Sequence, residues 1–135
     1  MSGRPVRLAG RGGDLVVLIP EDAEDVMELS LDDIYGDSGP KRADFALVFR
    51  RRDREYLVVI EETEGPRIED FDKIDNTVRE LRNIMGGNAF VIKIIHHRGG
   101  VSGMLLNLAR NRRCELQRCG DMLDLASLMR KRGLV

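Results

Sequence analysis

The stretch from Phe45 to His97 constrains the fold more than any other part of the chain. "FALVF" and "YLVVI" are two short apolar runs separated by the charged turn "RRRDRE". Runs of this length, rich in branched and aromatic residues and bounded by charge, read as paired strands. Directly after them, in "DFDKIDNTVRELRNIMGG", Phe71, Ile74, Val78, Leu81 and Met85 recur at alternating steps of three and four residues. That spacing lays one apolar stripe along an amphipathic helix, which Gly86 and Gly87 end. "AFVIKIIHH" then returns as a strand. A hairpin followed by a helix and a further strand implies a sheet with a helix packed on it.

The flanking segments extend this core. "VRLAGRGGDLVVLIP" reads as a hairpin turning at Gly10–Gly13, with Leu15–Ile19 as its second strand. Pro20 opens an acidic helix, "PEDAEDVMEL", because proline suits a first turn and acids suit the N-terminal dipole. "YGDSGPKRAD" is a loop. "VSGMLLNLARNR" reads as a helix, "CELQRC" as a strand, and "DMLDLASLMRKR" as a last helix capped by Asp121. The expected order is ββαββαβαβα. This is an α/β (α+β) fold in a single domain, 1–135, with an acidic hairpin and helix over 1–40 and a core over 41–135. A mixed, mainly antiparallel sheet of four to six strands would be covered by four helices.

Composition narrows the functional classes. Of 135 residues, 42% are hydrophobic and 33% charged, which suits a globular domain with a real core. No apolar run approaches the roughly 18 residues of a membrane span, so no membrane partner is expected. "MSGRPVRLAG" lacks the apolar segment of a secretory signal, and a cytoplasmic protein is expected. Cys114 and Cys119 are read as ordinary thiols, because five residues along a strand puts them on opposite faces. Net charge is −1, but it is unevenly spread. Residues 1–40 carry nine acids against three arginines, and residues 93–135 carry nine Lys and Arg against three acids. Either the two segments neutralise each other, or the basic one meets an anionic partner.

Asp44 begins one strand and Glu61 ends its hairpin neighbour. In this the chain resembles the PD-(D/E)xK nucleases, whose metal-binding Asp and E-x-K occupy those places. Residues two apart on a strand share a face, so Glu61 and position 63 address one site. Here Ala43 precedes the aspartate and Thr63 stands where the family has lysine. Lys73 on the adjoining helix and Lys93 on the next strand are the lysines that could substitute. Lys93, flanked by Val91 and Ile95, is the better candidate, because partial desolvation would lower its pKa. This resemblance implies a nuclease with Asp44, Glu61 and Lys93 as catalytic residues and Mg²⁺ held by Asp44 and Glu61.

A second resemblance runs from about Lys41 to the final helix. "KRADFALVF", "YLVVIEETEG", "IEDFDKIDNTVREL" and "AFVIKIIHHRGG" resemble the ThermoDBP-type archaeal single-stranded DNA-binding proteins and their related proteins. It implies a non-enzymatic domain without a cofactor, a basic-edged cleft for single-stranded DNA, and homo-oligomers. The residues themselves offer cations and polar groups for a phosphate track: Lys41, Arg42, Lys73, Asn76, His97, Arg98, Arg110, Arg112 and Arg113. The glycine-rich "HHRGGVSG" opens a helix whose free N–H groups suit a phosphate oxygen. Phe49 and Tyr56, facing each other across the hairpin, are the candidate platforms for bases. A third reading is an assembly subunit that docks the stripe Met122, Leu125, Ala126 and Met129 of the last helix.

Overall fold

The computed structural model describes residues 3–10, 13–31, 34, 36, 41–118 and 120–134. Cys119 and most of the loop expected over "YGDSGPKRAD" lie outside them. The described residues form an α+β fold of eight strands and three helices, with the strands in two mixed sheets. The strands are β1 (Arg4–Gly10), β2 (Gly13–Ile19), β3 (Glu24–Leu29), β4 (Phe45–Arg51), β5 (Arg54–Thr63), β6 (Phe90–His97), β7 (Cys114–Arg118) and β8 (Met122–Asp124). The helices are α1 (Ile68–Met85), α2 (Gly103–Arg112) and α3 (Leu125–Lys131). None is long and apolar enough to cross a membrane.

The larger sheet has the order β3-β4-β5-β6-β7. The expected hairpin is there, with Phe49 opposite Tyr56 and Phe45 opposite Ile60. The strands β5, β6 and β7 run parallel, with Tyr56 against Phe90 and Thr63 against His97. Strand alternation sorts their side chains between two cores. Ala46, Val48, Leu57, Val59 and Ile95 meet Phe71, Ile74 and Leu81 of α1 and Leu105 and Ala109 of α2. Phe45, Leu47, Phe49, Val58, Ile60 and Ile94 meet the smaller sheet and α3. Each fully buried Leu, Ile or Phe contributes about 1.5–3 kcal/mol relative to an exposed one. The α1 stripe is therefore what fixes this helix on the sheet. Gly86 ends it at φ 87°, a left-handed conformation that a side chain would strain, and its N–H reaches the Arg82 carbonyl.

The acidic segment expected as a helix is instead the edge strand β3, with Met27 against Val48 and Leu29 against Ala46. A bulge at Asp25, φ 53°, interrupts the pairing. Its acids face the arginines of the β4–β5 turn. Arg51 holds Asp22 at 2.7 Å and Arg50 holds Asp25 at 2.8 Å. Hydrogen bonding along the open edge of β4 and these counter-charges together override the helical signal, which was local. Among the described residues, Asp22, Glu24 and Asp25 thus pair with residues 50–52 rather than with the basic segment 93–135.

The last helix also differs from the expected one. Met122 to Asp124 pair with Val16 to Leu18 of β2 as the parallel strand β8, and the helix begins only at Leu125. Its cap is Asp124, which accepts from the Ser127 N–H at 3.0 Å, not Asp121. Leu125, Ala126 and Met129 are at most 2% exposed within the core, so the proposed docking stripe is used inside the chain. Only Met122, 45% exposed, stays at the surface.

Candidate nucleic-acid interface

At the carboxyl end of β5, α1 and the β4–β5 hairpin are latched together. The Glu61 carboxylate accepts from the Asp44 N–H (3.1 Å) and from Lys73 Nζ (3.1 Å). In return the Asp44 carboxylate accepts from the Glu62 N–H at 2.9 Å. Lys73 also lies 3.7 Å from Asp70, whose carboxylate caps the start of α1 through the Arg67 N–H. Thr77 adds a clamp, accepting from the Ala43 N–H and donating to the Lys73 carbonyl, both at 2.8 Å. Glu61 is 3% exposed. Burial first, then the Asp44 charge, pushes its pKa up to about 8 despite Lys73, so it keeps its proton at neutral pH. Partial burial pulls the Lys73 pKa down, but the hydrogen bond and charge of Glu61 outweigh this and leave it raised. The two shifts agree, since Lys73 titrates only where Glu61 is already ionised.

The lysine beside Glu61 is therefore Lys73. Lys93, expected there, is opposite Val59, and its Nζ bonds Asp75 at 2.8 Å. Alternation along β6 gives the face that Lys93 occupies but not which helical residue stands above it. In this arrangement both Glu61 oxygens accept hydrogen bonds, and one Asp44 oxygen caps the Glu62 N–H. Among the described residues no three His, Cys, Asp or Glu side chains form a metal-ready group.

The residues expected to carry nucleic acid fall in three places. Arg42 is bound to Glu80 at 3.0 Å, and Asn76 donates to the Lys41 carbonyl, so these sit against α1 with Lys73. At the strand ends, His97 is buried and its Nδ1–H donates to the Gly99 carbonyl at 2.9 Å. Arg98 is exposed there beside a cavity of about 390 Å³ lined by Asp44, Glu62, Thr63, Glu64 and His96. Those carboxylates oppose a phosphate. Gly99 serves a close approach: its N–H bonds the Glu64 carbonyl at 2.7 Å, where a Cβ would come within 2.8 Å of that oxygen. The N–H of Leu105 in the first turn of α2 is bound by Ser102.

At the end of α2, Arg112 is committed to Asp72 (2.8 Å) and Asp75 (3.2 Å), tying α2 to α1. The Asp72 hydrogen bond leads in holding its pKa above the ordinary arginine value. Arg110 and Arg113 are exposed, and Arg113 closes the helix in a left-handed conformation, φ 55°. Phe49 and Tyr56 are not platforms. They are 1% and 3% exposed and stack on each other at 5.2 Å inside the core.

A groove that the sequence did not announce opens at the other end of the sheet. β7 registers against β6 only from Lys93 onward, so Phe90, Val91 and Ile92 have no strand on their outer edge among the described residues. Two adjoining cavities, about 340 and 250 Å³, share Phe90, Val91, Lys93 and Arg113 as walls. Arg82 of α1 lines the first, and Arg132, just past α3 and paired with Glu115 in the same wall, lines the second. Phe90 is 37% exposed, with the Arg54 guanidinium 5.6 Å from its ring centre. Arg54, Arg82 and Arg113 are exposed and have no ion pair among the described residues. The available signal was an aromatic residue opening a strand just after a Gly-Gly turn, at an end no neighbour covers. Phe90 lies five residue steps along β6, roughly 17 Å, from Ile95, the partner of Glu61. No family model, no curated protein and no solved structure matches the chain.

Proposed function

We propose that this chain binds single-stranded nucleic acid without cutting it, in the groove formed by the start of β6, the end of α1 and the α2–β7 corner. One observation carries the reading: three exposed arginines without an ion pair among the described residues lie near one exposed aromatic residue, Arg54 over the Phe90 ring and Arg82 and Arg113 in a cavity wall that Phe90 shares. A phosphate track needs cations not already held by carboxylates, whereas Arg42 and Arg112 are paired with Glu80, Asp72 and Asp75, and Lys73 lies 3.7 Å from Asp70. Exposed backbone groups along the open edge of β6 add hydrogen-bonding capacity beside the arginines. Self-association would set two such grooves in one particle, and light scattering measures it directly. The test is an anisotropy titration with labelled single- and double-stranded oligonucleotides at two salt concentrations. The Arg82→Ser/Arg113→Ser double variant is expected to bind the single strand more weakly. Unchanged affinity contradicts this surface.

A second reading, phosphodiester cleavage, is favoured by the Lys73–Glu61 contact, which supplies a lysine where Thr63 lacks one. On that reading Asp44, Glu61 and Lys73 would be the working residues and Lys93 a bystander. A cleavage assay with Mg²⁺ on single-stranded and branched DNA separates the two. Products lost in Lys73→Met and kept in Lys93→Met support cleavage; none from wild type ends it.

A further inference from the structure

We infer that Phe90 is a stacking platform for one unpaired nucleobase, making the groove selective for strands with exposed bases; this rests on the nucleic-acid reading above. Three aromatic rings form a continuous row through the sheet. Phe49 and Tyr56 stack at 5.2 Å and 20°, and Phe90 follows Tyr56 at 5.8 Å, tilted by 57°. The first two rings are buried and Tyr56 packs against the third from the side, so Phe90 meets solvent beside a rigid support. A supported ring loses little freedom when a base lands on it, and stacking on it is sequence-tolerant because every base has a π face.

The surroundings match a nucleotide rather than a purely apolar ligand. Arg54 stands over the ring at 5.6 Å. Exposed and without an ion pair, it can swing outward at little cost and lay its planar guanidinium on the outer face of the base. Arg113 and Arg82 line the cavity that Phe90 also lines, and the adjoining phosphates would run along them. A paired base inside a duplex offers no face to this ring, so duplex binding gains nothing from Phe90.

The test compares Phe90→Leu, which keeps apolar bulk and removes the π face, with Phe90→Tyr, which keeps the face. Each is titrated against a fluorescein-labelled oligothymidine and the corresponding duplex, with circular dichroism confirming the fold. Phe90→Leu is expected to weaken single-strand binding roughly tenfold, with duplex affinity unchanged, while Phe90→Tyr stays within about twofold of wild type. Quenching of a 2-aminopurine-containing oligonucleotide should fall in Phe90→Leu and persist in Phe90→Tyr. If Phe90→Leu binds single strands like wild type while Arg82→Ser/Arg113→Ser weakens them, the stacking role is overturned and the groove stands. If wild type binds no oligonucleotide, the nucleic-acid reading falls and takes the platform with it.

Discussion

Replacing Glu61 by Gln changes the pH dependence of stability in a direction fixed by the latch. In the unfolded chain this carboxyl titrates near its ordinary value of 4.5, and in the fold burial and Asp44 raise it to about 8. Between those values the folded state holds a proton that the unfolded state has released. Stability from this group is therefore complete below pH 4.5, falls as pH rises, and is lost above about pH 8. At about 1.4 kcal/mol per pH unit the whole excursion is on the order of 5 kcal/mol. Glutamine cannot titrate, so it removes the excursion. It also loses something: its single acceptor oxygen serves only one of the two donors, Lys73 Nζ and the Asp44 N–H, a loss of about 1–2 kcal/mol. The variant should then be less stable than wild type near pH 5 and more stable near pH 9, by about 3 kcal/mol. Urea denaturation followed by circular dichroism at pH 5, 7 and 9 gives the difference directly, and other titrating groups largely cancel in it. A difference independent of pH would refute the placement of a protonated Glu61 in the latch.

Two further substitutions probe the frame around the site. Gly99→Ala drives a methyl group against the Glu64 carbonyl and should cost about 1–3 kcal/mol, read as a lowered melting temperature. Asp124→Ala removes the cap on α3 and should cost about 1 kcal/mol in urea titration, whereas Asp121→Ala should stay within about 0.5 kcal/mol.

What the sequence revealed is what periodicity encodes. The β4–β5 hairpin and α1 were legible because each shows its buried face over five or more residues. The first hairpin was legible from its glycines. The strand β3 was not, because "EDVMEL" satisfies helix propensity, while its partners, β4 and the arginines at 50 and 51, come from another part of the chain. The start of α3 moved three residues because β2 offers Met122 to Asp124 a ladder to join. For the site, alternation correctly put Glu61 and Thr63 on one face, but the element above that face brings Lys73, not Lys93. Phe49 and Tyr56 were correctly paired, and burial then removed them from solvent. Phe90 belongs to the same row, and its exposure depends on where β7 begins, which local sequence does not encode.

The salt dependence of single-strand binding tests the central claim most directly. With Arg82 and Arg113 contacting phosphates, replacing both by Ser should reduce the slope of log affinity against log salt by about 1.4, at roughly 0.7 per phosphate contact. A double variant that binds with the wild-type slope would mean that the strand lies elsewhere on the molecule.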